Sequence, residues 1–177
     1  MCIIIHKPKG IILPPVEVLQ RAARYNPDGF GLMTADGFVY KTLDSNEFIA
    51  KAKEVCKKDI DAALHFRFAT HGSVKVENCH PFTANGISMM HNGVLPFASE
   101  NDKTDSEIFL QKNAKELAET FAENVELCPP CLRNFTNTNR FCFLADGNFY
   151  LFGSTWFYKD GCYYSNSRIF NTKKLNF

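Results

Sequence analysis

A cysteine, Cys2, directly follows the initiator Met1. If Met1 is removed, Cys2 carries both a thiol and a free α-amine. Free thiols have a pKa of about 8.5 and α-amino groups one of about 7.7–8.0, so the amine can accept the proton that the thiol must lose before it attacks. One residue would then supply nucleophile and base. The alternative, from position alone, is that Cys2 opens a buried strand, because it heads the apolar run Ile3 to Ile5.

Further clusters of polar and small residues lie downstream of Cys2. They are 26–31, 65–72 with 78–82, 91–93 and 104–107. In this order they resemble the motifs N-x-D-G-x-G, H-x-R-[WY]-A-T-H-G, N-x-H-P, H-N-G and S-D-[TS]-E of the class II glutamine amidotransferases, a branch of the N-terminal-nucleophile hydrolases. Cys2 matches the family's N-terminal cysteine. The resemblance covers roughly the first two thirds of the chain, and the last third adds no motif.

The resemblance implies a reaction and a role for each site residue. Cys2 would attack the side-chain amide of L-glutamine and form a thioester, with its α-amine as base, and hydrolysis would yield glutamate and ammonia. Asn92 and Gly93 would stabilise the oxyanion through a side-chain amide and a backbone N–H. Arg67 would bind the substrate α-carboxylate with its planar fork. Asp105 would pair with the α-ammonium.

More residues receive roles from the same resemblance. Phe68, Thr70 and His71 would line the substrate pocket, and His80 and His91 would be structural. No cofactor is expected. No metal is expected either, because no histidine pair has the i, i+4 spacing of a helical zinc site and no acidic cluster accompanies the histidines.

Simpler structural explanations compete with three of these roles. Asn92-Gly93 is also the favoured pair of a type I′ hairpin turn. Asp105 could simply stabilise the positive end of a helix dipole, which is worth about 0.3–1 kcal/mol. Arg67 could be an exposed strand residue. Strand alternation would instead put Arg67 on one face and Phe68 on the other, which favours a cavity lined by the arginine.

Some features depart from the family pattern. Ile3 stands where glycine usually follows the nucleophile, which puts a bulky side chain beside the reacting centre, and Phe68 replaces tryptophan or tyrosine. The chain ends at Phe177, whereas known members continue into a synthase domain, so a free-standing glutaminase-type domain with a separate ammonia-accepting partner enzyme is expected. Two alternatives stay open: an N-terminal-cysteine amidase acting on another γ-glutamyl or amide compound, and a catalytically silent binding protein that keeps Met1.

Composition narrows the class of protein. The 177 residues suit one domain, residues 1–177, and 45% hydrophobic with 22% charged residues is typical of a globular protein. A net charge of +1 gives no bulk attraction to nucleic acid or membrane. No signal peptide or membrane span is recognisable, so a cytoplasmic location is expected. The seven cysteines are read as thiols, and Cys128 and Cys131 as part of a structural loop rather than a zinc site.

The hydrophobic pattern predicts the elements that position these residues. Helices are expected at 15–24, from about 45, and at 104–123, where Thr104 and Glu107 are spaced as a capping box. A hairpin is expected at 30–42, strands at 61–68 and 86–90, and a meander of four short strands after residue 140. Residues 124–139 are read as an exposed connection. Strands and helices without βαβ alternation predict an α+β fold, and the resemblance implies a four-layer αββα sandwich of two antiparallel sheets between helices.

Overall fold

The computed structural model describes residues 2–70, 72–97, 102–123 and 127–170. Its helices are α1 Val16–Tyr25, α2 Ser45–Val55 and α3 Asp105–Glu123. Its strands are β1 Ile3–Lys7, β2 Phe30–Thr34, β3 Val39–Thr42, β4 Ala62–Phe66, β5 Phe82–Ala84, β6 Ile87–Asn92, β7 Arg140–Ala145, β8 Asn148–Phe152, β9 Phe157–Lys159 and β10 Cys162–Tyr164. No helix in the described ranges is long and apolar enough to span a bilayer.

The strands form two antiparallel sheets. The first has six strands in the order β3-β2-β4-β1-β10-β9, and the second has four in the order β5-β6-β7-β8. Strand β1 lies inside the first sheet, between β4 and β10, with Ile4 opposite His65 and Ile5 opposite Tyr164. Because β1 is covered on both faces, its β-branched run is buried throughout, and the chain start is fixed at the centre of the molecule.

The layers follow from the way side chains alternate along β1. Ile3 and Ile5 point to the outer face and pack under α1 and α2, in a cluster that includes Leu19 and Phe48. Ile4 points the other way and belongs to the cluster between the two sheets, with Met33, Met90 and Cys142. Helix α3 covers the far face of the second sheet, where Phe109 and Leu117 pack with Phe141 and Phe143. The α+β class and the four-layer αββα arrangement are therefore confirmed.

The three predicted helices are present. Helix α2 is capped by Asp44, whose side chain accepts the backbone N–H groups of Asn46 and Glu47 at 2.8 and 2.9 Å. At the start of α3 the Thr104 hydroxyl accepts the Glu107 N–H at 3.2 Å, which is one half of the predicted capping box. The hairpin at 30–42 is also present, with Phe30 paired to Thr42.

The predicted meander after residue 140 is wrong. Strands β7 and β8 pair in the second sheet, whereas β9 and β10 pair in the first, beside β1. The chain changes sheet after Gly153, which has φ +111° and lies so close to Asn139 that a Cβ there would be 2.1 Å from its carbonyl oxygen. Strand propensity is a local property and does not reveal which sheet a hairpin joins.

Two further expectations are corrected. Of the predicted exposed connection 124–139 the structure describes 127–139, and this part is not simply exposed, because Leu132 is fully buried in the α3 core and Asn139 is 2% exposed. Strand β4 ends at Phe66, two residues earlier than predicted. The alternation expected for Phe68 is therefore wrong: Phe66 is fully buried, whereas Phe68 is 44% exposed.

Candidate active site

A cleft beside Cys2 gathers residues from separate parts of the chain. It is lined by Cys2, Arg67, Phe68, Thr70, His80, His91, Gly93, Thr104, Asp105 and Ser106. Six of the residues singled out from the sequence for catalysis or substrate binding thus meet at one place: Cys2, Arg67, Phe68, Thr70, Gly93 and Asp105. His71 lies outside the described residues, and Asn92 borders a neighbouring cavity.

Cys2 is half-buried at the entry to β1. Its Sγ accepts the backbone N–H of Phe68 at 3.3 Å, and its carbonyl oxygen accepts an N–H of the Asn166 side chain at 2.9 Å. Burial raises the pKa of the Cys2 thiol above its ordinary value, although the Phe68 N–H and the Arg67 charge oppose that rise. The thiol is thus protonated at neutral pH. Ile3 does not enter the cleft, since its side chain is 1% exposed and packs under the helices.

Backbone hydrogen bonds set the position of the segment after β4. The Arg67 N–H donates to the Gly29 carbonyl at 2.8 Å, and the Asp28 N–H donates to the Arg67 carbonyl at 3.0 Å. The Ala69 N–H then donates to the Asp28 carboxylate at 2.8 Å. This side-chain bond replaces a strand partner, so the chain leaves the sheet and brings Phe68 to Cys2.

Gly29 and Gly31 allow the loop at 78–80 to pack closely against the 26–31 segment. A Cβ on Gly31 would lie 1.7 Å from the His80 carbonyl oxygen, and one on Gly29, where φ is +140°, would lie 2.3 Å from the Cys79 sulfur. Only glycine permits such close contact. The loop at 78–80 thus packs directly against β2 and presents His80 to the cleft.

Arg67 is a buried cation on the cleft wall, so the exposed-strand alternative is wrong. Its side chain is 3% exposed, and its guanidinium donates to the carbonyls of Ser73 at 3.0 Å and Gly72 at 3.3 Å. The Asn78 side chain donates to the same Ser73 carbonyl at 3.0 Å. Charge-assisted bonds of this kind hold the guanidinium in one orientation beside Cys2.

Asp105 is the buried anion of the cleft. It is the first residue of α3, but it does more than sit near the helix dipole: one carboxylate oxygen accepts the Leu95 N–H at 2.8 Å, and the other accepts the Ser106 N–H at 2.8 Å. These bonds tie the chain after Gly93 to the start of α3. The cleft therefore contains opposite charges, Arg67 and Asp105, in low-dielectric surroundings.

Gly93 and Asn92 follow at the end of β6. Gly93 lines the cleft with φ +153°, and a Cβ on it would lie 1.9 Å from the Asn139 side-chain oxygen. Asn92 is 3% exposed and pairs with Arg140 of β7, and the next described element is α3 rather than a partner strand. The hairpin-turn alternative is therefore wrong. The Asn92 Nδ2 donates to the Ser165 hydroxyl at 2.8 Å, while its Oδ1 is buried without a hydrogen-bond partner.

Comparison with curated proteins finds relatives that match part of the chain. The probable glutamine amidotransferase DUG3 of Saccharomyces cerevisiae is 33% identical over 87 residues, which cover 42% of this chain and 24% of that protein. The glutamine–fructose-6-phosphate aminotransferase (isomerizing) of Mesorhizobium japonicum is 27% identical over 119 residues, covering 58% and 20%. The enzyme of the same name from Methanothermobacter thermautotrophicus is 29% identical over 85 residues, covering 45% and 14%.

These matches confirm the resemblance of the chain to the class II glutamine amidotransferases. The chain spans about a quarter or less of the length of these relatives. No protein-family model matches it.

Three histidines form a buried group behind the cleft. His65 and His80 have ring centroids 4.1 Å apart, and a His65 ring nitrogen lies 3.1 Å from the His91 carbonyl oxygen. The His91 ring is held at both nitrogens, by the Ser106 hydroxyl and the Asn139 side-chain oxygen, each at 2.8 Å. Burial lowers the pKa of all three, to about 3 for His65, so they are neutral at pH 7.

Sequence reasoning missed several residues of the candidate site. Ser106 is in the segment that resembles S-D-[TS]-E, so a signal for it existed. Asn139, Ser165 and Asn166 belong to the last third, where no motif was recognised. The only sequence signal for the last two is the polar run 165–167 directly after an aromatic strand.

Among the described residues there is no group of three or more His, Cys, Asp or Glu side chains that could hold a metal ion. The seven cysteines are free thiols. Cys131 is half-buried, its N–H donates to the Glu116 carboxylate at 2.8 Å, and burial together with that charge raises the pKa of its thiol to about 12.

Proposed function

We propose that this chain hydrolyses the side-chain amide of L-glutamine to glutamate and ammonia, with Cys2 as nucleophile once Met1 is removed. One observation carries the proposal: a thiol, a buried cation, a buried carboxylate and a glycine, from four separate segments, line the same cleft. The relatives' names, a probable glutamine amidotransferase and glutamine-dependent aminotransferases, support glutamine as the substrate.

In the first step the free α-amine of Cys2 takes the thiol proton, and Sγ attacks the side-chain carbonyl carbon of glutamine. The S–C bond forms while the C=O electrons move to oxygen. The Gly93 N–H and the Asn92 carboxamide donate to that oxyanion. Each donor of this type typically contributes ~10²–10³ in kcat.

In the second step the C–N bond breaks, and ammonia leaves with the proton held by the α-ammonium of Cys2. A γ-glutamyl thioester remains on Cys2. The α-amine then takes a proton from water, the hydroxide attacks the thioester carbon, and glutamate leaves as the thiol regains its proton. Every proton passes through one group, which is why no catalytic histidine is required.

The charges of the cleft select a free amino acid. Arg67 binds the α-carboxylate and Asp105 the α-ammonium, and both are buried enough for their charges to act strongly. Phe68 and Thr70 line the same cleft. His71 keeps its proposed place in the pocket on the resemblance alone.

The test is covalent labelling with the glutamine analogue 6-diazo-5-oxo-L-norleucine. We expect protein lacking Met1 to gain one adduct by intact mass, Cys2→Ala to gain none, and Cys131→Ala, a matched change of another half-buried thiol, to label normally. An adduct that survives Cys2→Ala, or no adduct on the protein without Met1, contradicts the proposal. N-terminal sequencing that finds Met1 retained in the native protein supports the silent binding protein instead.

A second candidate is cleavage of a larger γ-glutamyl amide. It is favoured by a cavity of about 400 Å³ that Asn92 borders together with Arg140 and Trp156. A cavity of this size could hold a large amine leaving group, whereas ammonia is too small to need it. Rates with glutamine and with γ-glutamyl anilides separate the two. A higher kcat/KM for the anilides favours the amide substrate.

Transfer of the ammonia to a partner enzyme or further domain is also part of the proposal, because the relatives are named as transferases and are longer than the matched region. Glutaminase activity that rises when a candidate acceptor enzyme and its substrate are added supports it. Unchanged ammonia release with every acceptor tried counts against it.

A further inference from the structure

We propose that Ser165 is a positioning residue for the oxyanion site: its hydroxyl donates to the Asn92 side-chain oxygen and so turns the Asn92 amide nitrogen toward the reaction. This inference rests on the proposed glutamine hydrolysis. It concerns a residue in the part of the chain where no family motif was recognised.

The hydrogen bonds around Ser165 contain a conflict. The Ile4 backbone N–H donates to the Ser165 hydroxyl oxygen at 2.9 Å, and the Asn92 Nδ2 donates to the same oxygen at 2.8 Å. The hydroxyl thus accepts twice, and its own proton is not used in either bond. The Asn92 Oδ1 meanwhile is buried with no partner, which is an unfavourable state for an acceptor.

Turning the Asn92 carboxamide by half a turn about its last bond resolves this conflict. The oxygen and nitrogen of a carboxamide have nearly the same shape, so the exchange needs no new space. The Ile4 N–H can only donate, so it still takes one lone pair of the hydroxyl. The hydroxyl proton then points at the Asn92 oxygen, and every group at Ser165 has a partner.

The exchange changes which end of Asn92 is left unpartnered. An unpartnered carbonyl oxygen would repel a developing oxyanion, whereas an unpartnered amide nitrogen would donate to it. Asn92 directly precedes Gly93, whose position on the cleft wall is set by Asn139. The orientation imposed by Ser165 therefore decides whether Asn92 helps or hinders the first step.

Ser165 is well placed to fix this orientation. It is 2% exposed, and its own N–H donates to the Ile4 carbonyl at 2.9 Å, so bonds in both directions join it to β1. Its neighbour Asn166 donates to the Cys2 carbonyl at 2.9 Å. The two residues that follow β10 are thus hydrogen-bonded to Cys2 and Asn92, and they fix the positions of these two residues relative to each other.

The experiment compares glutamine hydrolysis by Ser165→Ala, Ser165→Thr and Ser167→Ala. We expect kcat of Ser165→Ala to fall about tenfold or more with KM within about twofold, since the lost interaction acts on the transition state. Ser165→Thr keeps the hydroxyl and should restore most of kcat. Ser167 is a nearby half-buried serine, and the side-chain hydrogen bond of Asn92 is made to Ser165 instead. The Ser167→Ala variant should therefore match the wild type.

A double-mutant cycle distinguishes positioning from a general structural role. If Ser165 acts through Asn92, Ser165→Ala should lower kcat no further in an Asn92→Ala background. Additive losses, or a wild-type kcat in Ser165→Ala, overturn the inference. If Ser165→Ala does not fold, Ser165→Cys, which keeps a weaker donor on Cβ, takes its place in the cycle.

The outcomes separate this inference from the proposed function. A wild type that hydrolyses glutamine and labels at Cys2, with Ser165 variants unaffected, contradicts only the role of Ser165. A wild type that neither hydrolyses glutamine nor labels contradicts the proposed function, and the inference fails with it.

Discussion

The Cys2 sulfur accepts the backbone N–H of Phe68 at 3.3 Å, across a gap of 66 residues in the chain. This bond joins the start of β1 to the segment that also carries Arg67, so the positions of the Cys2 thiol and of the Arg67 guanidinium are set together. A single N–H stabilises a thiolate but does not compensate for burial, since the pKa of Cys2 is still raised. The proposed mechanism therefore requires a base, and the α-amine of Cys2 is the group proposed for it.

The raised pKa of Cys2 predicts a pH profile for alkylation of protein that retains Met1. Because only the thiolate reacts, the iodoacetamide rate at Cys2 should reach its half-maximum at a higher pH in folded protein than in urea-unfolded protein. Peptide mass spectrometry distinguishes Cys2 from the half-buried Cys128 and Cys131. A folded profile at equal or lower pH would show that the Phe68 N–H and Arg67 outweigh desolvation.

Gly31→Ala should destabilise the protein strongly, because the new Cβ would lie 1.7 Å from the His80 carbonyl oxygen and backbone must move. We expect a loss of about 3 kcal/mol, at the upper end for overpacking, measured by urea unfolding. Gly37→Ala is the matched control: it has φ +88° and open space, so only the left-handed backbone is penalised, by about 1 kcal/mol. Equal losses in the two variants would mean that the 78–80 loop yields easily.

The sequence located most of the cleft because its motifs are short and each lies on one loop or strand end. Arg67, Gly93 and Asp105 line the cleft together, and their roles in it stay predictions. The bounds of the three helices were also predicted well, because hydrophobic periodicity and capping residues are properties of the local sequence. Ile3 was misjudged as a neighbour of the reacting centre because its role depends on which face of β1 meets the helices.

What the sequence could not provide are contacts between distant segments. The bond from Asn92 to Ser165 spans 73 residues and that from Asn166 to Cys2 spans 164, and no periodicity predicts either. Both bonds depend on the pairing of β10 with β1 in the first sheet, whereas the sequence pattern predicted that β10 would continue a meander with β7 to β9. For this reason the sequence did not predict that Ser165 and Asn166, in the last third, contact Asn92 and Cys2.

The buried histidines predict that stability falls as the solution is acidified below pH 6.5. An unfolded histidine has a pKa near 6.5, whereas that of folded His65 is about 3 and that of His80 is well below its ordinary value. Between those values the unfolded chain binds more protons, so the free energy of unfolding should drop by about 1.4 kcal/mol per pH unit for each such histidine.

His80→Leu isolates one of these contributions, because neither ring nitrogen of His80 has a hydrogen-bond partner to lose. Urea unfolding at pH 6.5, 5.75 and 5.0, above the range where most carboxylates titrate, should give a shallower pH slope for the variant than for the wild type. Identical slopes would mean that His80 is already protonated, or able to become so, in the folded protein.

Arg67→Lys should weaken glutamine binding while leaving the nucleophile intact. Lysine keeps the charge but loses the planar guanidinium. The guanidinium donates to the Gly72 and Ser73 carbonyls and can also donate two parallel hydrogen bonds to a carboxylate. We expect KM for glutamine to rise about tenfold to hundredfold, since charge-assisted hydrogen bonds contribute about 1.5–3 kcal/mol each. Initial-rate kinetics measures KM, and the iodoacetamide rate at Cys2 reports whether the thiol is still in place.

Asp105→Asn provides the complementary change at the opposite charge. Asparagine retains one oxygen that can accept the Leu95 N–H, but its amide nitrogen cannot accept the Ser106 N–H. The variant should therefore lose one bond at the start of α3 in addition to the pairing with an α-ammonium. KM should again rise, and α-N-acetylglutamine, which has no ammonium group, should discriminate less between variant and wild type than glutamine does. If both substrates lose affinity equally, Asp105 acts by holding the loop at Leu95 rather than by contacting the substrate.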